Sequence, residues 1–150
     1  MSTFVTIKVQ DTIQVDEFEA RLTCGVDGFH VWDFFAPKLS NSLRHKVGQV
    51  VLTREIGSDM WTVANLFLRD SITNKHAKFV GLKSEAIDVN IRGRGIMRRF
   101  LMMILPRYGK ICADRSGTWS DDAIKMWKAI GAKRLKTKEC PKGFVYVIEV

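Results

Sequence analysis

The stretch IDVNIRGRGIM, residues 87–97, is the joint that most limits the folds open to this chain. It leaves an alternating apolar segment, KFVGLKSEAI (78–87), that reads as a strand. It enters an amphipathic one, IMRRFLMMIL (96–105), with Ile96, Phe100, Met103 and Ile104 on one helical face. KICAD (110–114) follows as a short strand. SDDAIKMWKAIGA (120–132) then reads as a second helix, with Ser120 as its N-cap, Asp121 and Asp122 in its first turn and Gly131 as its stop. Two strands joined through a helix pair parallel, because a hairpin turn cannot join them. The pattern therefore predicts a local parallel pair at the centre of a sheet.

Around this centre the remaining segments predict long antiparallel strands. TFVTIKV (3–9) is a strand by its β-branched alternation. VGQVVLTREIG (47–57) and MWTVANLFLRD (60–70) form a hairpin through Gly57-Ser58-Asp59, and residues 71–78 form a loop. AKRLKTKE (132–139) and FVYVIEV (144–150) close the chain as a strand pair. Two helices are expected in the first half. DTIQVDEFEARLTCG (11–25) carries Ile13, Val15, Phe18 and Leu22 at roughly helical spacing before Gly25, and FHVWDFFAPKL (29–39) is an aromatic segment ending near Pro37. The expected order is β α α β β β α β α β β. The expected fold class is α/β (α+β): a mixed, mostly antiparallel sheet with about four helices, in a single domain over 1–150.

Charge divides the chain. Residues 1–75 hold 8 Lys/Arg and 9 Asp/Glu; residues 76–150 hold 16 and 7, so the net +8 belongs to the second half. From Arg92 to Lys110 there are six basic residues and no acid. That asymmetry favours an anionic partner on this side. Cys24, Cys112 and Cys140 form no CxxC pair, which predicts free thiols in a reducing compartment and no zinc site. No apolar run approaches the roughly 20 residues of a membrane span. The N-terminus lacks the pattern of a signal peptide, so a cytoplasmic protein is expected.

A helix N-terminus exposes unpaired N–H groups and the positive end of the dipole, and both suit phosphate. Glycines let the backbone approach a pyrophosphate, and nearby arginines add bidentate donors. The joint is neither a dinucleotide fingerprint nor a P-loop: the third glycine and the acidic ribose residue of the first are missing, and no GK[ST] follows.

IDVNIRGRGIM resembles the turn of the GNAT superfamily of N-acetyltransferases, often written VxPxxRGxGIG. Ile87 takes the strand-end place, Val89 that of the usual proline, Arg92 the Q/R and Gly95 the central glycine. Met97 takes the final small residue's place. The family's later helix, N-x-x-A-x-x-x-Y-x-x-x-G-F, is similar to SDDAIKMWKAIGA, with Ser120, Ala123, Trp127, Gly131 and Ala132 in those places. The strand order resembles the family over roughly 47–150, and the motifs over 85–133. The chain also resembles divergent GNAT-like proteins of tailed phages.

The resemblance implies an acetyl-CoA site beside the parallel pair. Backbone N–H groups of Arg92, Gly93, Arg94, Gly95, Ile96 and Met97 would hold the pyrophosphate of coenzyme A. The pantetheine arm would pair along Ile87, Asp88 and Val89, with the thioester carbonyl near the N–H of Ile87. A free amine on a protein, a small molecule or an aminoacyl-tRNA would take the acetyl group. Glu85, two residues before Ile87 and on the same strand face, is the first choice of base, ahead of Asp70 and Asp88. Ser120 stands in the asparagine place, where its hydroxyl can cap the helix or bond pantetheine or a water. Trp127 stands where the family's tyrosine protonates the leaving thiolate, and an indole N–H lacks that acidity. Cys112, Tyr108, Ser116 and solvent remain as proton donors. Met102 and Met103 read as core. Homodimer formation is compatible with the sequence. Two other readings stand beside the acyltransferase: a GNAT fold kept for binding, inhibition or structure after loss of catalysis, and a nucleic-acid-binding domain using the basic half.

Overall fold

The computed structural model describes residues 11–36, 46–68, 71–72, 89–90 and 95–150. Strands β1 (Thr12–Val15), β2 (Phe18–Val26), β3 (Phe29–Phe35), β4 (Lys46–Thr53) and β5 (Trp61–Leu68) run as one antiparallel meander. A two-stranded ribbon follows, β6 (Ser71–Ile72) with β7 (Val89–Asn90). Then come α1 (Ile96–Tyr108), β8 (Lys110–Cys112), α2 (Asp121–Ala129), β9 (Lys133–Lys136) and β10 (Phe144–Glu149). The main sheet has eight strands in the order β1-β2-β3-β4-β5-β8-β10-β9. Every pair is antiparallel except β5 with β8. One parallel pair is therefore present, as expected, but it joins Trp61–Leu68 to Lys110–Cys112, whereas the strand–helix–strand alternation assigned the place of β5 to 78–87. The expected 3–9 strand and 78–87 strand lie outside the described residues.

The two helices expected in the first half are strands. Val15 pairs with Phe18 across Asp16-Glu17, and Asp16 takes φ 53 to make that turn. Val26 pairs with Phe29 across Asp27-Gly28. An Asp-Gly pair between β-branched and aromatic runs is a strong hairpin signal, and it outweighs an irregular helical stripe. Phe18, Ala20 and Leu22 are buried in alternation with Glu19, Arg21 and Thr23. Ala20, too small to register as an apolar beat, completes the period of two.

Helix α1 covers one face of the sheet. Phe100 meets Trp32 and Phe34 edge-on, with ring centroids 5.4 and 4.7 Å apart. Its buried stripe is Ile96, Met97, Phe100, Leu101, Ile104, Leu105 and Tyr108. Met102 and Met103, expected in the core, are 44% and 49% exposed, because they fall on the flank away from that stripe. Pro106 lies inside the helix, which continues to Tyr108. Helix α2 begins as predicted, with Ser120 Oγ accepting from the N–H of Ala123 at 3.1 Å. Among the described residues, no helix is long and apolar enough to cross a membrane.

At the far end of α1 a polar cluster is locked into the core. Trp32 Nε1 donates to the Tyr108 hydroxyl at 2.8 Å, and that hydroxyl lies 2.7 Å from His30 Nδ1. The indole can only donate, which leaves the tyrosine proton for an unprotonated His30 nitrogen. Burial, helped by the charge of Arg54, lowers the His30 pKa from its usual 6.5. Burial also pushes the Tyr108 hydroxyl up to about 12. Folding thus favours the neutral form of both groups. The unfolded chain binds more protons just below pH 6.5 and releases more above pH 10. Unfolding free energy from urea titrations should be flat between these limits. It should fall as pH drops below 6.5 and as it rises from 10 towards 12. Tyr108→Phe should cost about 1–3 kcal/mol, since it strands the buried Trp32 N–H, and it should flatten the alkaline limb.

Candidate functional site

Strands β5 and β8 are joined only at Trp61 with Ile111 and Thr62 with Cys112. Beyond that, β5 runs on to Leu68 while β8 stops at Cys112. Ala64 is also left unpaired by a bulge, since Leu52 pairs with Val63 and Val51 with Asn65. A cavity of about 510 Å³ lies where β5 runs on alone. Its walls are Leu66–Leu68, the start of α1 from Gly95 to Arg98, and the face of α2 that carries Asp122, Ala123, Lys125, Met126 and Ala129, with Ser120 at its cap.

The start of α1 is unusual for a helix. Gly95 is its N-cap at φ 68, with no side-chain cap and no acid in the first turn. The N–H of Arg99 bonds Gly95 O at 3.1 Å, so those of Ile96, Met97 and Arg98 have no intrahelical carbonyl to meet. A Cβ at Gly95 would meet only the end of the exposed, flexible Arg98 side chain, so it is the positive φ that favours glycine here. Arg98 is exposed at the cavity and forms no ion pair among the described residues. Arg99 is committed elsewhere: its two Nη atoms donate to the Asp16 carboxylate at 2.9 and 2.6 Å, tying α1 to the β1–β2 turn. That bond raises the Arg99 pKa further above its ordinary value.

Met97, where the resemblance expects a small residue, is 8% exposed. Its room comes from Gly48 on β4, where a Cβ would lie 3.3 Å from Met97 Cε and 2.7 Å from Phe67 O. A glycine inside a strand signals this kind of close approach, and it is the signal sequence reasoning passed over.

Gly95, Ile96, Met97 and Ser120 thus come together at one cavity. Trp127 does not line it; its side chain is buried in the core beneath α2. Val89 pairs with Ile72 in the ribbon, apart from the main sheet. Glu85, Ile87, Asp88, Arg92, Gly93 and Arg94 lie outside the described residues, as does Asp70. Of the proton-donor candidates, Tyr108 is about 18 Å along α1 from Ile96, and Cys112 is buried against Thr62 on the opposite sheet face. Ser116 is bonded to Thr118. Among the described residues no cluster of His, Cys, Asp or Glu is placed to hold a metal ion. Leu66–Leu68, Gly48 and Lys125 are site features the sequence reading did not single out.

Gly95→Ala should cost about 1–3 kcal/mol, the range for a non-glycine residue held at positive φ. Gly95→Asn should cost less, because asparagine tolerates that region. Equal unfolding midpoints for the two variants would show that Gly95 carries no such constraint.

By sequence, no family model matches the chain, and no curated protein matches it significantly. Solved structures do match by fold. A protein from Desulfovibrio desulfuricans assigned to the GNAT acetyltransferase family superposes with a TM-score of 0.51 at 10% identity, over 82% of this chain and 69% of that one. The PaiA N-acetyltransferase of Thermoplasma acidophilum, solved with coenzyme A, gives 0.46 at 10% identity over 82% and 62%. The ribosomal-protein-S18-alanine N-acetyltransferase of Escherichia coli gives 0.45 at 9% over 83% and 70%. The chain has the GNAT fold: a mostly antiparallel mixed sheet with one parallel pair and, among the described residues, two helices.

Proposed function

We propose that this chain is an N-acyltransferase that takes acetyl groups from acetyl-CoA and passes them to an amine. The observation that carries the reading is the uncapped, acid-free start of α1 opening onto a cavity at the carboxyl end of β5. In mixed sheets, ligands bind outside the carboxyl ends of strands at such a switch point. The residues present fit the group. The N–H groups of Ile96, Met97 and Arg98 would donate to the pyrophosphate, helped by the helix dipole and the Arg98 guanidinium. Lys125 would supply further positive charge from α2. Arg92, Gly93 and Arg94 would complete the cradle.

Among the described residues, the β8-facing edge of β5 from Val63 to Phe67 has no ladder partner, so its backbone can pair with the amide-bearing pantetheine arm as a strand would. Ile87, Asp88 and Val89 are the alternative pairing segment. When bound, acetyl-CoA supplies a thioester whose carbonyl carbon is open to an amine. Glu85 is proposed as the base that takes the amine proton, and the Ser120 hydroxyl, whose oxygen already accepts from Ala123, keeps its own proton to donate. Trp127 would act from beneath, by holding α2 in place.

Two observations favour a second reading, in which binding survives without catalysis. Met97 fills the place of a small residue, and the tyrosine place holds a buried indole. Both readings predict binding of coenzyme A. At about 100 times its dissociation constant, coenzyme A should stabilise the chain by roughly 2.7 kcal/mol, seen as a raised melting temperature. Arg98→Ala should reduce this affinity about three- to tenfold while leaving the melting temperature of the free protein within a degree or two. Absence of any shift at millimolar coenzyme A would remove both readings. A normal shift, with no acetyl transfer to amines, peptides or aminoacyl-tRNA, would select the second.

A further inference from the structure

Between Asp122 and Glu139 the sequence holds six Lys/Arg and no acid. Among the described residues none of the six forms an ion pair. Arg99, Arg107 and Lys110, on and just after α1, each meet an acid. Glu139, the acid that ends the run, is itself taken up by Arg115. Lys133, Arg134 and Lys136 stand on β9, all four of whose residues are exposed. β9 is the last strand of the main sheet, so among the described residues its outer edge has no ladder partner.

The register sorts these cations by face. Arg134 lies opposite Tyr146 and Lys136 opposite Phe144, so both share the face of β10 that carries those rings. Leu135, 44% exposed, lies opposite Val145 on the other face. Trp119 completes the aromatic side: its ring centroid is 5.6 Å from that of Phe144 and 5.1 Å from that of Tyr146. Cations lie directly over these rings. The Arg134 guanidinium is 4.6 Å from the Phe144 centroid, and Lys142 Nζ is 5.2 Å from that of Trp119. Trp119 and Phe144 are half-buried, whereas Arg134, Lys136, Lys138 and Lys142 are exposed. Positive charge and aromatic rings are thus interleaved on one small surface at the edge of the sheet.

We propose that this surface binds a single-stranded nucleic acid. Lys136, Lys138 and Lys142 meet its phosphates, and bases stack on the Trp119 ring and on the guanidinium plane that Arg134 lays over Phe144. Charge alone suits other polyanions, but the remaining features do not. An acidic peptide has no use for the rings, and a four-residue edge strand with three cations is a poor template for an added strand. An anionic membrane is held by apolar side chains that enter it beside the cations, and Leu135 stands on the opposite face. A duplex keeps its base faces stacked away from the rings. None of these residues lines the cavity at the start of α1, so the proposal stands apart from the acyltransferase reading.

The test is fluorescence anisotropy of the full chain with labelled strands of about 12 nucleotides, within the range one such site covers. The probes are oligothymidylate, oligouridylate, an abasic strand of the same length and a blunt duplex. The expected dissociation constant for a base-bearing strand is about 1–100 μM at physiological salt. The slope of log affinity against log salt is expected at about −2 to −3, from four cations at roughly −0.7 each. The abasic strand should bind at least about fivefold more weakly, for want of stacking. Replacing the exposed pair, Lys136→Gln with Lys142→Gln, should weaken binding about tenfold and reduce the slope by about 1. Lys46→Gln, which removes a charge from β4 instead, should leave both unchanged. The tighter of the two base-bearing strands tells RNA from DNA. No binding of either strand overturns the proposal, as does an abasic strand or duplex bound as tightly, or a double variant equal to wild type. Equal competition by polyglutamate or by phosphatidylserine vesicles overturns it in favour of a peptide or a membrane. Displacement of the strand by millimolar coenzyme A also overturns it, by placing the strand at the start of α1.

Discussion

The structure depends on one short contact, the parallel pairing of β5 with β8 over two registers. A parallel pair needs a crossover, and α1 is a helical part of it. The connection leaves β5 at Leu68 and re-enters the sheet at Lys110, so the start of α1 lies at the carboxyl end of β5. Because the ladder ends after Thr62 and Cys112, β8 does not cover the edge of β5 from Val63 to Phe67 beside that helix start. The geometry brings together two features: N–H groups without intrahelical acceptors at the helix, and, among the described residues, a stretch of strand edge without a ladder partner. The second would be lost if β8 were as long as β5.

Local and global preferences conflict at this point. Two arginines, Arg98 and Arg99, stand in the first turn of α1, where the helix dipole favours acids. Gly95 provides no side-chain cap. In α2, by contrast, Ser120, Asp121 and Asp122 follow the ordinary rules of a helix start. The two helices thus act as each other's control. The same chain caps one helix with a side chain and leaves the other without one, the kind of local departure that the proposed anion site would account for. Arg99 offsets part of the cost through its bidentate bond to Asp16.

The second half was legible because its signals were redundant. Ser120, the acids after it and Gly131 all marked α2, and glycine followed by an apolar stripe marked α1. In the first half the signals competed. Ile13, Val15, Phe18 and Leu22 approximate a helical face, and only Ala20 and the Asp27-Gly28 turn reveal the strand period. The error at Met103 has a similar origin: a position three residues from Phe100 was read as sharing its face, whereas the buried stripe follows Ile96, Phe100, Ile104 and Tyr108 at intervals of four. At the site, Gly95 to Met97 and Ser120 could be found from motif spacing. Leu66–Leu68 could not, because what makes them a wall is the early end of β8, set by tertiary pairing rather than by their own sequence.

The split of charge between the halves takes on a different meaning in three dimensions. Read along the chain, a net of −1 followed by +9 points to an external anion for the whole second half. In the fold, acids of the first half meet bases of the second: Asp16 with Arg99, Asp11 with Arg107 at 3.8 Å, and Asp59 with Lys110 at 3.8 Å. Exposed pairs of this kind contribute little each, typically about 0–1 kcal/mol. Their more consistent effect is to remove positive charge from the long-range field. Arg107 also lies over the Trp32 ring, 5.3 Å from its centroid, so its charge is spent on packing α1 to the sheet. At the cavity, Arg98 has no such ion pair among the described residues, and Lys125 stands on the α2 face that also carries Asp122. The charge available to a bound phosphate there is that of Arg98 together with the open helix start. A broad basic surface suited to nucleic acid is correspondingly reduced along α1.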